Sequence, residues 1–350
     1  MKEVQDIETG KVELEDIFKD VTAMTDSTNE KYLGDIISSN GSNAKNIEAR
    51  QNKGKGIVSQ VMTILEDICF GNFQFEVAVI LRNSLLINGI LTNAEAWYDI
   101  KKNELETLEK VDESLLRQVL EAPSSTPKEM LYLEMGLLPI RFIIMSRRLN
   151  FLHCILNENK DSLIYRFFKA QADNPVKNDW SETIKQDLES LGLPNCEEIQ
   201  KMKQSFFHNL VKAAVEKEAF SYLLKKKNGD AETRGHSKVA HIKYRRLEIQ
   251  DYLRPNRISI QEAKFIFLVR TRMLDIKANF QNAHADMLCV ACTDNDETQE
   301  HLMQCKVLAD DDMVVEEVPD YLDLFGENLQ QKIIVAQILN TNFNRRKSFK

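Results

Sequence analysis

Cys289, Cys292, His301 and Cys305 bring four metal-ligand side chains into one short stretch, in the order Cys-x2-Cys-x8-His-x3-Cys. Two cysteines separated by two residues can point into one tight turn. Residues four apart, as His301 and Cys305 are, share a face when the backbone is helical. A turn presenting two thiolates against a helix presenting an imidazole and a thiolate makes a tetrahedral cage suited to Zn2+. With all four positions supplied by protein, the expected role of the zinc is structural rather than catalytic. The run Asp294-Asn295-Asp296-Glu297-Thr298 offers N-cap candidates for the helix that carries His301. The alternative is four unrelated residues of a reduced intracellular protein, and the tight clustering argues against it.

A second group of residues suits a different chemistry. Lys225, Lys226, Lys227, Arg234, Lys238, Lys243, Arg245, Arg246, Arg254 and Arg257 form a basic stretch, with His236, His241, Tyr244 and Tyr252 interleaved. Cations attract phosphate, and aromatic rings offer stacking faces to unpaired bases, so RNA or single-stranded DNA is the expected partner. The competing reading is a charged loop followed by a surface helix. The formal net charge of −8 hides a strong asymmetry. Residues 225–277 carry 14 Lys and Arg against 6 Asp and Glu, and residues 286–327 carry 1 against 13. An external partner would meet that asymmetry, but the two segments could equally lean on each other.

Other candidate residues are weaker. Lys53-Gly54-Lys55-Gly56 lacks the Gly-x4-Gly-Lys-Ser/Thr frame of a phosphate loop. His153 and Cys154 lie in an apolar helical stretch without a triad partner, so no cysteine nucleophile is assigned there. Trp97, Tyr98, Trp180 and the Phe206-Phe207 pair are assigned to the core. Cys69, Cys154 and Cys196 are scattered in or beside apolar stretches and read as reduced thiols, not as a disulfide framework.

The elements that must hold these groups are mostly helices. The chain has 350 residues, 43% hydrophobic and 29% charged, an ordinary globular composition with room for two or three domains. Met1-Lys-Glu-Val-Gln-Asp is charged, so no secretory signal is expected and the location is intracellular, nuclear or cytoplasmic. The longest apolar stretch, 75–91, carries Glu76 and Arg82 and is not expected to span a membrane. Residues 31–37 form a short β-type run broken by Gly34, followed by a turn, and a helix follows from Ala44, with Lys53–Gly56 marking a possible break. Val58, Val61, Met62 and Leu65 have helical spacing, and 75–97 is rich in helix. Asn103 and Glu106 suggest a capping box ahead of the stripe Leu105, Leu108, Val111, Leu115 and Val119. Thr126-Pro127-Lys128-Glu129 restarts a helix that Gly136 ends, and Pro139 opens the next, through about Leu156. These closely spaced helices predict an antiparallel bundle. A looser polar segment spans 157–180, a helical region 196–227, a loop 228–236, and Ser259-x-x-Glu262 caps a helix through Met273. An acidic linker at 309–319 precedes a last helix near 329–339 and a basic tip at Arg345-Arg346-Lys347.

In this order the motifs resemble a known family. Lys31-Tyr32-Leu33-Gly34-Asp35 resembles the Tyr-Leu-Gly motif that closes the palm of non-LTR (LINE-type) retrotransposon reverse transcriptases. Asn93-x-Glu95-Ala96-Trp97-Tyr98, Asp112-x-x-Leu115-Leu116-Arg117, Pro127-x-Glu129-x-Leu131-Tyr132-x-Glu134-x-Gly136 and Pro139-Ile140-Arg141 resemble the helical thumb that follows it. The Cys-x2-Cys…His-x3-Cys cluster resembles the zinc knuckle near the C-terminus of the same polyproteins. The resemblance covers about residues 30–306. It implies a palm remnant with a Tyr-Leu-Gly hairpin at 1–50, a thumb-like bundle at 51–157, and a helical connector with the basic stretch at 158–280. A zinc knuckle at 281–308 and an acidic linker with terminal helix at 309–350 complete it. Tyr32, Leu33 and Gly34 would lie near a primer strand, or else pack under a hairpin, and knuckles of this kind touch RNA.

The sequence departs from the family where the chemistry should be. Such polymerases hold two Mg2+ ions on palm aspartates, one pair in an aromatic-Ala-Asp-Asp turn. No Ala-Asp-Asp precedes Tyr32. Leu308-Ala309-Asp310-Asp311-Asp312 follows the cysteines and reads as a solvated acidic linker. Mg2+ is therefore not expected, and the chain as it stands is expected to be a non-catalytic, mainly α nucleic-acid binder. A helical scaffold for protein partners is the alternative.

Overall fold

The computed structural model describes residues 29–32, 35–38, 42–68, 71–174, 176–229, 235–255, 258–284, 286–309, 320–326 and 328–349. Residues 1–49 and 50–350 form two compact units. In the first, β1 (Asn29–Tyr32) pairs antiparallel with β2 (Asp35–Ser38), with Asn29 opposite Ser38 and Tyr32 opposite Asp35. Asn46 steadies this hairpin, donating to Asp35 Oδ1 at 2.9 Å and accepting from the Ile36 N–H at 3.2 Å. Leu33, Gly34 and the side chain of Tyr32 lie outside the described residues.

Beyond the hairpin the chain is mainly helical, as its periodicity predicts. α1 (Ala44–Asp67) runs unbroken through Gly54 and Gly56, which corrects the expected break. The reason is close packing: a Cβ at Gly54 would lie 2.7 Å from Val111 Cγ1 and 2.9 Å from Ile90 Cγ2. The stretch expected to be rich in helix resolves into α2 (Gln74–Leu81), a π turn over Arg82–Ile87 and α3 (Asn88–Ile90).

α4 (Lys102–Leu120) buries Leu108, Val111, Leu115 and Val119, and Leu105 is half-buried. Its capping glutamate is Glu104, which accepts from the Lys101 N–H at 3.0 Å, not Glu106. The helix begins two residues earlier than expected, so Glu106 lies inside it. α5 (Lys128–Met135) starts after Pro127, and Thr126 makes no cap. Thr126 and Glu129 are buried instead; Glu129 turns to His236 at 3.2 Å, and the Thr126 hydroxyl has no partner among the described residues. Gly136 ends α5 with φ +63°, and a Cβ there would overlap the backbone of Glu248 and Ile249 at 2.2 Å.

α6 (Ile140–Leu156) lies at the centre of the bundle. Around it pack α4, α7 (Leu163–Asp173), α8 (Trp180–Leu191), α9 (Cys196–Gln200) and α10 (Gln204–Asn228). α7 occupies part of the segment expected to be loose; Ser162 caps it and Phe168 anchors it. Their shared core includes Phe142, Leu149, Leu152, Trp180, Phe207, Val211 and Val215. Trp97, Trp180 and Phe207 are core, as expected, but Tyr98 and Phe206 are exposed. Successive helical residues point about 100° apart, so only one phenylalanine of the pair can face inward.

α11 (Ile260–Arg270) has the expected capping box: Ser259 Oγ accepts from Glu262 N–H at 3.2 Å, and Glu262 accepts from Ser259 N–H at 2.8 Å. It ends at Arg270 rather than Met273, because Arg272 takes φ +58°. α12 (Gln299–Gln304) and α13 (Leu329–Arg346) complete the chain, α13 running well past Leu339. No helix among the described residues is long and apolar enough to cross a membrane.

Candidate metal centre

A hairpin and a short helix assemble the four ligands. Cys289 N–H donates to Asn295 O at 2.8 Å and Glu297 N–H to Met287 O at 2.7 Å, with Leu288 bridged antiparallel to Asp296. Thr293 turns the chain with φ +59° and returns its N–H to Cys289 O at 2.9 Å. Thr298 then caps α12, its hydroxyl accepting from the His301 N–H at 3.0 Å. Cys305 is the residue that ends α12, with φ −69° and ψ 108°, so it stands just beyond the helix instead of sharing its face. The N–H groups of Leu308 and Ala309 both return to Cys305 O at 3.0 Å.

The four ligand atoms lie within 4.8 Å of one another, with Cys292 Sγ 3.3 Å from His301 Nε2. Zn–S bonds near 2.3 Å give a tetrahedron with edges of about 3.8 Å, so the cluster has the size of a Zn2+ cage. Cys289 and Cys305 are buried, and Cys292 and His301 half-buried. The N–H groups of Asp294 and Asn295 hold the Cys292 thiol below its ordinary value. Burial, with the Cys289 sulfur alongside, pushes Cys305 up to about 11 against the N–H groups of Leu308 and Val307. A divalent cation would reverse that penalty, because cysteines ligate as thiolates. Three sulfurs and an imidazole, with backbone amides directed at the sulfurs, fit a metal ion held for structure.

The candidate nucleic-acid residues fare unevenly. Lys225, Lys238, Lys243, Arg245, Arg246 and Arg254 are exposed, and Lys226 is half-buried beneath the Tyr222 ring, 5.9 Å from its centroid. Lys227 is fully buried, its ammonium donating to Val239 O at 3.1 Å, Ala240 O at 3.2 Å and Ile242 O at 2.9 Å. It holds the end of α10 to the following loop and leaves the expected surface. Burial lowers its pKa to about 8. Lys238 donates to Asn279 O. Arg246 and Arg254 both reach Glu248, at 2.8 and 3.2 Å. Arg234 and Arg257 lie outside the described residues.

The two interleaved tyrosines are not free stacking faces, while His236 and His241 stay exposed. Tyr244 and Tyr252 both donate to the buried carboxylate of Glu134, Tyr252 at 2.8 Å, and Arg270 reaches the same carboxylate at 3.2 Å. His241 meets the Phe325 ring edge-on at 4.6 Å. The family-like motif residues are also framework. Arg82 donates twice to Asp112 at 2.6 Å, and Tyr132 adds a third bond at 3.1 Å. Arg117 ties down Pro123 O and Thr126 O, and Arg141 bonds Glu109. His153 is buried and hydrogen-bonded to Met202 O at 3.0 Å. Asp310 to Asp312, and the linker to Pro319, lie outside the described residues.

Sequence spacing missed the residues that support the metal ligands. Arg346, read as part of a basic tip, is 1% exposed and grips Glu297, itself fully buried, at 2.6 and 2.7 Å. Burial alone would raise the Glu297 carboxyl; Arg346 and the Lys277 and Val290 N–H groups outweigh it and hold it below the usual carboxylate range. Four acids, Asp294, Asp296, Glu297 and Glu300, lie between the two ligand pairs, and nothing in their spacing singles out Glu297. No protein-family model, no curated protein and no solved structure matches this chain.

Proposed function

We propose that this chain is a metal-stapled helical protein that binds single-stranded nucleic acid, built like the thumb and C-terminal segment of a non-LTR reverse transcriptase and without polymerase chemistry of its own. The observation that carries the reading is the placement of Lys243, Arg245 and Arg246 as exposed cations on a short connection tied down on both sides. Upstream, Lys227 binds the loop carbonyls and Lys238 reaches Asn279, just ahead of the metal hairpin. Downstream, Tyr244 and Tyr252 anchor on Glu134. A fixed row of cations loses little entropy when it meets phosphates. Zn2+ would be held by Cys289, Cys292, His301 and Cys305, and it would supply folding energy to that module.

One observation favours a second reading, a scaffold whose charged segments satisfy each other. Lys277 pairs with Asp286 and Arg272 with Glu300, both at 2.6 Å, joining the basic segment to the acidic one. Titration of a labelled single-stranded RNA across a salt series separates the two. Binding should weaken steeply with salt, and Arg245→Glu with Arg246→Glu should reduce the log–log slope by about 1.4 for two lost phosphate contacts. No binding at low salt leaves the scaffold. A primer-extension assay should yield no product, and Mg2+-dependent extension would overturn the non-catalytic reading.

A further inference from the structure

We propose that α13 is the outer wall of the metal centre and that Arg346 is a positioning residue for its ligands, so that metal binding and docking of α13 are one linked equilibrium. The inference rests on reading the Cys3His cluster as a metal centre. Three side chains near the end of α13 each hold a different ligand-bearing segment. Asn342 Nδ2 donates to Leu302 O at 2.7 Å, one residue after His301, and both residues are buried. Arg345 Nη1 donates to Leu308 O at 3.2 Å and Ala309 O at 2.8 Å, on the turn whose N–H groups close back on Cys305. Arg346 takes the Cys-x2-Cys hairpin through Glu297.

Glu297 is the node of that third contact. Its N–H pairs across the hairpin with Met287 O, and its carboxylate accepts from Val290 N–H at 3.5 Å, inside the Cys289–Cys292 turn, and from Lys277 N–H at 2.9 Å. Arg346 closes both oxygens in a two-bond fork and spends its remaining nitrogen on Asp275 O at 2.9 Å. Removing the guanidinium leaves a buried carboxylate without its counter-charge, and the hairpin has no other buried cation to replace it among its described contacts. The hairpin, the ligand helix and the Cys305 turn are each too short to fix their own geometry. α13 fixes all three relative to one another, and this is what a four-point cage requires. Partners behind metal ligands commonly govern affinity by 10–100-fold. Reciprocity then requires that the metal tighten the docking of α13 by the same factor that α13 tightens the metal.

The test uses the full chain with Co2+ as the spectroscopic probe of a tetrahedral thiolate site, and Zn2+ in competition with it. Arg346→Met should weaken Co2+ binding 10–100-fold. Arg346→Lys, which keeps the charge but loses the fork, should recover only part of that. Arg346→Met with Glu297→Gln removes the orphaned carboxylate yet should remain weaker than wild type, because the clamp is gone. Hydrogen exchange supplies the reciprocal readout. In the wild type, a chelator should speed exchange in 329–346 as well as in 287–305, and leave 102–156 unchanged. In Arg346→Met the α13 amides should already exchange fast, with little further change on chelation. Wild-type affinity in Arg346→Met, or α13 exchange indifferent to the chelator, overturns the linkage. A wild-type chain with no tetrahedral cobalt spectrum overturns the metal centre itself, a distinguishable failure. If Arg346→Met does not fold, Arg346→Lys and the wild-type exchange experiment decide the matter.

Discussion

The helical bundle of α4 to α10 and the metal module of 275–309 with α13 solve the same problem with different physics. In the bundle, helices of up to 25 residues present continuous apolar stripes, and burying them supplies the stability. Ion pairs such as Arg82–Asp112 and Arg148–Asp187 then fix which polar groups are admitted to that interior. In the module, α12 has six residues and the hairpin fewer than a dozen, too little for a core of their own. Leu302, Leu308, Val335 and Leu339 are buried there, and cross-links add to that burial: four candidate metal ligands at the centre and three α13 side chains at the periphery. The lesson is that the module should be conditional on its cross-links, while the bundle should not respond to them.

The module's dependence on its metal should give the biggest change. Chelation, or Cys292→Ser, should open residues 286–309 to protease and exchange while the bundle keeps its protection, since structural zinc sites contribute on the order of 10 kcal/mol. Equal resistance with and without chelator would remove the metal from the account. Next, Arg82→Met should cost about 3–5 kcal/mol in urea unfolding by orphaning Asp112, with Co2+ affinity unchanged. Leu115→Ala, at a fully buried position on α4, should cost about 2–5 kcal/mol by the same assay and likewise spare the metal. A matching loss of Co2+ affinity in either variant would show that the two regions are not independent.

A smaller effect concerns pH. The Gln337 side chain, then the Ser259 N–H, hold the Glu262 carboxyl below its usual range, although burial opposes them. Its folded pKa lies below its unfolded one, so the group's contribution is present above about pH 4.3 and fades as pH falls through the folded value. Glu262→Gln should therefore be less stable than wild type by roughly 0.5 kcal/mol at neutral pH, solvent screening included, with the gap closing as pH falls through the folded value. A gap that persists in acid would mean the carboxylate's charge is irrelevant to the cap. Smallest of all, Phe206→Ser should change stability by no more than about 0.5 kcal/mol, whereas Phe207→Ala should cost about 3–5 kcal/mol.

Much of this was legible along the chain because it depends on local spacing. The stripe on α4, the αL glycine after α5, the Ser259–Glu262 box and the four metal ligands are each encoded within a few turns of backbone. Helical and turn geometry convert such spacing into direction without knowledge of the rest of the molecule. Several of the errors share one cause. Gly54, Thr126, Tyr244, Lys227 and Arg346 have local contexts that permit a break, a cap, a stacking face or a solvated cation. Each acquired its role from residues beyond its own turn of backbone: Val111, Arg117 on the Thr126 carbonyl, Glu134, the carbonyls of 239–242, and Glu297.

Residue type and short-range periodicity were enough for the helical class, the register of the main apolar stripes and the four candidate metal ligands. Which charges lie at the surface and which fasten the interior follows from the folded arrangement alone. That division depends on desolvation and on a partner's position, and neither is encoded near the residue it governs.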